Sequence, residues 1–320
     1  MGVRHMKVIS LFDGMSGGQL ALKKANIDVS EYHACEIDRY AIKVTQANFP
    51  KTWQHGDVIN FKPTPYYYLN VFNALNGIDL LIAGSPCQDF SVAGKQLGHA
   101  GDRGKLFYEV IRIMQECKPK YFLVENVKMR KESEKVFTDL LGVEPIEINS
   151  ALVSAQNRKR LYWTNIPNVT QPTDQNILLK DILEDGFVDR NKSHCIDANY
   201  FKGGNLKSYF EKHRRQLVFS NDGLCHIGNA DLSGHDSLKR VYHAQGKAPT
   251  VMSMNGGNQE PKVFIEPMHY RKLTPLECER LQGVPDNYTN HVSNTQRYKM
   301  LGNGFQVDTV AHILEGLKNG

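Results

Sequence analysis

No apolar run in this chain approaches the roughly 18 residues that a membrane-spanning helix needs, so no membrane segment is expected. No signal peptide is visible at the N-terminus either, and the expected location is the cytoplasm. Met1-Gly-Val-Arg-His-Met6 reads as an appended leader, with the native start at Met6. The six cysteines, at 35, 87, 117, 195, 225 and 278, never form a Cys-x-x-Cys pair. That spacing argues against a zinc site, and no metal is expected. Without export the thiols should be free, in a reducing compartment. Internal repeats and low-complexity tracts are also missing, which argues against a solenoid or a disordered chain. Neither sign of charge dominates: 39 Lys and Arg against 34 Asp and Glu give a net +5. Such a balance permits a polyanionic partner without demanding one. With 41% hydrophobic and 23% charged residues, the composition is that of an ordinary globular protein. Its 320 residues allow one large domain and a smaller one.

The rest of the chain is arranged around Gly84-Ser85-Pro86-Cys87-Gln88-Asp89-Phe90-Ser91. This stretch follows Asp79-Leu80-Leu81-Ile82-Ala83, which has the length and apolarity of a buried strand in a parallel sheet. Gly, Ser and Pro break that strand and leave Cys87 on the loop beyond its end. Ligands and reactive groups of open α/β sheets gather at that end. Cys87 is therefore a candidate nucleophile by position, although most lone cysteines are small buried hydrophobes.

The opening residues give a strand over Lys7–Phe12, a turn Asp13-Gly14-Met15-Ser16-Gly17-Gly18 and a helix from Gln19. Strand, glycine turn and helix let backbone approach a ligand at a helix N-terminus. Ser16 stands where the second glycine of Gly-x-Gly-x-x-Gly belongs, so a plain tight turn fits equally well. A second strand, Tyr32–Cys35, ends in Glu36-Ile37-Asp38. Glu36 suits ribose hydroxyls and Asp38 suits the N-cap of a helix from Arg39. His55-Gly56-Asp57-Val58 offers another acid at a strand end, or a surface turn. Beyond Cys87, residues 91–104 carry four glycines, Lys95 and Arg103, and read as a mobile loop beside the nucleophile or as plain surface. Leu106, Val110, Ile113 and Met114 then recur at helical spacing.

Lys120–Val124 is the next strand, ended by Glu125-Asn126-Val127. Gly14, Glu36, Asp57, Cys87 and Glu125 thus each fall just past a different predicted strand, and a parallel sheet gathers all five on one edge. This set raises catalysis by Cys87 above the packing alternative. Arg158 and Arg160, just before the strand Leu161–Trp163, would share one face if the backbone there is extended; a solvated basic edge is the plainer reading. From Thr164 to Met268 the strand–helix rhythm gives way to glycine, asparagine and basic clusters, including Lys212-His213-Arg214-Arg215 and Lys239-Arg240. A strand is expected at Val251–Met254. Thr274, Pro275, Glu277 and Gly283 mark a capped helix. Leu301-Gly302-Asn303-Gly304-Phe305 reads as a turn before a helix from Val307 to Leu317.

Taken in this order, Phe12-x-Gly14, Pro86-Cys87-Gln88, Glu125-Asn126-Val127, Gln156-x-Arg158-x-Arg160, the helix from Leu273 and Gly302-Asn303 make the chain resemble the DNA (cytosine-5)-methyltransferases of the compact bacterial and phage type. The resemblance covers nearly the whole length. It departs from the family pattern at Ser16 and at Gly304-Phe305, where Ser-Val is more usual. It implies an α/β fold: a doubly wound, mostly parallel, Rossmann-like sheet with a smaller, loop-rich target recognition domain. The expected division is a catalytic and cofactor-binding part at 1–163, a target recognition domain at 164–270, and final motifs at 271–320. The C-terminal helix, about 301–320, would return to the first part.

The resemblance further implies that S-adenosylmethionine is the cofactor and that double-stranded DNA, with its target cytosine flipped out, is the substrate. A monomer is expected, and a cognate restriction endonuclease would act separately. Cys87 would attack C6, Glu125 would act at N3 and Arg160 would bind O2, with Asn126 and Arg158 completing the catalytic set. Phe12, Glu36 and Asp57 would meet the adenine ring, the ribose hydroxyls and the adenine amine. Gly14, Gly17, Ile37, Pro86, Leu106 and Asn303 would complete the cofactor site. The chemistry fits the residues independently, because a thiolate is the side chain best able to make C5 of a poor nucleophile reactive. Two rival readings stand beside this one. A nicotinamide-dependent dehydrogenase would use the Gly14–Glu36 interval, but leaves Glu125 and the arginines unexplained. A non-catalytic DNA-binding module has no need of Cys87.

Overall fold

The computed structural model describes residues 5–63, 77–86, 105–220, 226–229, 240–243, 262–264 and 270–319. Seven strands form one sheet: β1 (Met6–Leu11), β2 (Val29–Cys35), β3 (Trp53–Gln54), β4 (Leu80–Gly84), β5 (Tyr121–Asn126), β6 (Ile146–Asn149) and β7 (Lys159–Thr164). Their order is β3-β2-β1-β4-β5-β7-β6, with β7 antiparallel to both neighbours and the pairs β3/β2, β2/β1, β1/β4 and β4/β5 parallel. The strand order reverses between β1 and β4, the crevice position where α/β sheets bind ligands. The expected doubly wound sheet is therefore observed.

Side-chain alternation divides the strands between two cores. Val8, Leu80, Ile82, Leu123, Ile148 and Tyr162 face one side of the sheet. Ile9, Leu11, Leu81, Ala83, Val124, Leu161 and Trp163 face the other. On the first side lie α1 (Gly17–Lys24), α6 (Pro275–Leu281), α7 (Asn294–Asn303) and α8 (Val307–Leu314). On the second lie α3 (Leu106–Cys117) and α4 (Lys131–Leu141), whose Phe107 and Phe137 stack at 3.6 Å between centroids. The strands are continuous apolar runs because both faces are covered.

Helix α2 (Arg39–Asn48) starts at Asp38, whose carboxylate accepts from Tyr40 N at 3.0 Å, as expected. Helix α6 has the full predicted cap: Thr274 accepts from Glu277 N at 3.2 Å, and Glu277 accepts from Thr274 N at 2.8 Å. A short helix, α5 (Leu206–Lys212), precedes β8 (Leu217–Phe219), which pairs antiparallel with β12 (Tyr270–Lys272). Strands β9 (His226–Asn229), β10 (Arg240–His243) and β11 (Lys262–Phe264) form a separate small sheet. The strand expected at Val251–Met254 lies outside the described residues. Among the described residues no helix is long and apolar enough to cross a membrane.

Two expectations need correction. Glu125 lies within β5, opposite Gly84 and Tyr162, rather than past the strand's end, because antiparallel β7 extends the ladder to Asn126. Leu301, Gly302 and Asn303 are the last residues of α7 rather than a turn, and the chain leaves the helix only at Gly304.

Candidate active site

The turn after β1 is unusually bent. Phe12, Gly14 and Ser16 all take positive φ, at 57°, 59° and 63°. Ser16 thus adopts the conformation of the glycine it replaces. The cost of that conformation is offset locally, because its hydroxyl donates to the buried Asp13 carboxylate and accepts from Gln19 Nε2 at 2.9 Å. Asp13 Oδ1 also accepts from Tyr32 OH at 2.8 Å. Burial outweighs these hydrogen bonds and raises the Asp13 carboxyl to about 6.

Glu36 ties this turn to the end of β2. Its Oε2 accepts from Gly14 N at 2.7 Å, and its Oε1 accepts from Ile37 N and Asp38 N at 2.8 and 2.7 Å. Ile37 is 73% exposed beside it. Asp57 lies in a turn after β3, where it accepts from Ile59 N at 3.0 Å. Phe12 and Leu106 both pack at the edge of the second core.

Strand β4 ends at Gly84 beside Phe305. A Cβ on Gly84 would lie 2.9 Å from that ring and 3.8 Å from Glu125 Oε2, and a Cβ on Gly17 would lie 3.4 Å from Phe305 Cβ. The departure from Ser-Val at this position therefore fills space that two glycines leave open. Asn126, buried, donates to Ser85 Oγ at 3.0 Å and to Ser85 O at 3.4 Å, and accepts from Val127 N at 2.8 Å. It holds the backbone that leads through Pro86 to Cys87. Cys87 itself and the loop at 91–104 lie outside the described residues.

Arg160 Nε meets Glu125 Oε1 at 2.9 Å, with both side chains mostly buried. The register explains the pair: Glu125 opposes Tyr162, so Arg160, two residues back, is its diagonal neighbour on the same face. Arg158 shares that face but is 3% exposed, and its Nη donors go to backbone carbonyls and to the Cys195 sulfur. Nη2 reaches Gly304 O at 2.8 Å, and Nη1 reaches Gly302 O at 3.4 Å and Ile196 O at 3.5 Å. The solvated-edge reading fails for both arginines: Arg158 is buried beneath α7 and Ile196, and Arg160 is mostly covered in its pair with Glu125.

Several partnerships escaped the sequence. Gln156 donates to Leu281 O at 2.8 Å and to Gln282 Oε1 at 3.0 Å. Gln282 in turn donates to Leu301 O and accepts from Val307 N at 2.9 Å. Cys195, exposed, brings its sulfur to 3.4 Å from Arg158 Nη1 and 3.9 Å from Arg160 Nη2. None of these pairs has a short-range signal. Asn303 is exposed at the end of α7.

The family model described as C-5 cytosine-specific DNA methylase matches residues 6–143 and 148–319. The chain is 32% identical to the type II methyltransferase M1.ScrFI of Lactococcus lactis subsp. cremoris, over 97% of this chain and 77% of that one. It is 29% identical to the type II methyltransferase M.NlaX of Neisseria lactamica, over 98% and 96%. Its fold is similar to that of the Entamoeba histolytica methyltransferase EhMeth, with a TM-score of 0.68 at 16% identity, covering 99% of this chain and 98% of that one.

Proposed function

The chain belongs to the C-5 cytosine-specific DNA methylase family and is a DNA (cytosine-5)-methyltransferase, and from that premise we propose that it methylates a flipped cytosine through a covalent Cys87–C6 adduct. The observation that carries this reading is the Glu125–Arg160 pair, opposite the strand that leads into Pro86-Cys87. A carboxyl and a guanidinium side by side match the N3 and O2 edge of a cytosine.

The residues of the first turn fit S-adenosylmethionine. Exposed, apolar Ile37 offers a face for a purine; Glu36 precedes it directly, and Asp57 follows β3 at the same sheet edge. Phe12, Gly14, Gly17, Pro86, Leu106 and Asn303 complete the proposed cofactor set. When bound, S-adenosylmethionine supplies an electrophilic methyl group for C5.

The cytosine must leave the duplex, since C6 is inaccessible within the stack. Cys87, as thiolate, forms the S–C6 bond, and the ring's electron pair moves toward C5. Glu125 gives a proton to N3 and so relieves the negative charge that attack places on the ring. Arg160 holds O2 as that charge develops. After methylation C5 loses its proton to a base, and the electron pair released expels the Cys87 sulfur. Arg158 acts by positioning, since its donors hold the C-terminal end of α7 and Ile196 against β7. Asn126 positions Ser85 and hence the nucleophile loop.

Residues 164–270 are proposed to read the DNA sequence. The enzyme is proposed to work as a cytoplasmic monomer, with any cognate restriction endonuclease acting separately. Bisulfite sequencing of DNA from cells expressing the chain should reveal 5-methylcytosine at one short sequence, and Cys87→Ser should remove it while the folded protein survives. An alcohol is far less ionised than a thiol at neutral pH. Methylation by Cys87→Ser at the wild-type rate would exclude the adduct.

A further inference from the structure

Arg158 and Arg160 carry two positive charges on one face of β7, and the salt bridge to Glu125 balances one of them. Among the described residues no carboxylate pairs with Arg158; its partners are carbonyl oxygens and one sulfur. That sulfur, Cys195 Sγ, also lies within reach of Arg160. The segment that carries it is tightly seated. A Cβ on Gly302 would collide with the backbone of Asp197 and Ala198, so only glycine lets α7 lie against residues 197–198. Ser193 N and O bond Ala155 O and Asn157 N at 2.7 and 2.9 Å, pinning the other side of the segment to the approach of β7.

We infer that Cys195 is a positioning residue for this pair: its sulfur, 3.4 Å from Arg158 Nη1 and 3.9 Å from Arg160 Nη2, holds the two guanidinium groups side by side. The inference rests on the reading of Glu125 and Arg160 given above. Desolvation of the sulfur against its neighbours would raise this thiol although the residue as a whole is exposed, but the Arg158 and Arg160 charges outweigh it and lower it below the ordinary cysteine range. Among the described residues, the charged groups facing it are Arg158 and Arg160 from the β7 side. Glu125 lies behind Arg160, and His194 and Asp197 flank Cys195 on its own segment, bonded to Arg190 and Arg214. In the thiol form the sulfur donates instead to Ile196 O, at 3.5 Å. That contact would compete with its acceptance from the arginines.

The test compares Cys195→Ala, Cys195→Asp and wild type in the full chain. Steady-state methylation is measured against pH, with thermal melting and calorimetric binding of S-adenosylmethionine as controls. Cys195→Ala should lower kcat roughly 10- to 100-fold, the scale of a misplaced catalytic group, with cofactor affinity and melting temperature near wild type. Cys195→Asp, a permanent anion at neutral pH, should recover much of kcat and remove one ionisation from the acid limb of the profile. In a Cys87→Ser background, iodoacetamide should alkylate Cys195 with a pH midpoint below about 8.5, the ordinary thiol value. Wild-type kcat in Cys195→Ala overturns the inference, as does an alkylation midpoint at or above that value. If the wild-type protein methylates no cytosine, the functional reading fails, while the alkylation midpoint still decides whether the arginines hold a thiolate.

Discussion

Glu36 and Glu125 are both acids at the ligand edge of the sheet, and the roles proposed for them differ. Glu36 already accepts three backbone N–H groups, a rigid arrangement suited to a ligand bound in the ground state. Glu125 faces one guanidinium and remains near Gly84, where a base would sit against β4. Glu36→Ala should therefore weaken cofactor binding with a modest effect on the single-turnover rate. Glu125→Ala should lower that rate, because it acts on charge that develops only during addition. Exchange of these phenotypes in cofactor titrations and single-turnover assays would reverse the assignments. Asp13 makes a prediction about stability. Its folded pKa, about 6, lies above the unfolded value near 3.8, so the folded chain binds the extra proton. Stability is then greatest below the lower value and falls as pH rises through the higher one. The loss is on the order of 3 kcal/mol for a shift of this size. Asp13→Asn keeps an acceptor for Tyr32 and a polar group beside Ser16. It should melt above wild type at pH 8, and the advantage should shrink below pH 6. An advantage independent of pH would show that the carboxyl does not titrate as described.

The elements show what was legible in the sequence. Strands β1, β2, β4 and β5 were readable because a parallel strand buried on both faces is an uninterrupted apolar run. Helix α6 was readable because capping is local chemistry within four residues. Strand β6, Ile-Glu-Ile-Asn, was not, since a short edge strand needs only half its side chains buried. The end of α7 was misread as a turn because Gly302 and Asn303 normally break helices. Here Gly302 sits inside the helix for close approach to Asp197, a contact more than 100 residues away in sequence. Gly302→Ala must therefore shift backbone rather than a flexible side chain. It should cost 1–3 kcal/mol or more, in line with overpacking. Thr274→Ala, which removes one acceptor from the α6 cap, should cost only about 1 kcal/mol. Chemical denaturation of the two variants gives the comparison, and a Gly302→Ala loss no larger than that of Thr274→Ala would mean that residues 195–198 yield easily. The same seam explains why the partners of Gln156 and Arg158 were hidden: Leu281, Gln282 and Gly304 lie over 120 residues from them and meet only when α6 and α7 fold back.

At the scale of the whole molecule, chemistry and address are proposed to be separate. The candidate catalytic groups lie on the seven-stranded sheet, while residues 164–270 follow no strand–helix rhythm and carry basic clusters. In the first of these, Arg214 pairs with Asp197 at 3.4 Å and Arg215 donates to Gly203 O at 2.7 Å, while Lys212 and His213 are exposed. That cluster is thus divided between holding its own loop and facing outward. Phosphate contacts fix a protein on the duplex, and contacts to base edges select the sequence. A net charge of only +5 implies that DNA affinity comes from a localised patch rather than from the overall field. Non-specific affinity should then fall steeply with salt. Some 6–10 neutralised phosphates would weaken it on the order of 10³- to 10⁵-fold between 50 and 200 mM. Replacing residues 164–270 with the corresponding region of a relative that methylates another sequence should move methylation to that sequence, with Cys87 still required. Bisulfite sequencing reads the outcome directly. A folded, active chimera that keeps the original site would place sequence reading on the sheet side of the molecule and remove the proposed division of labour.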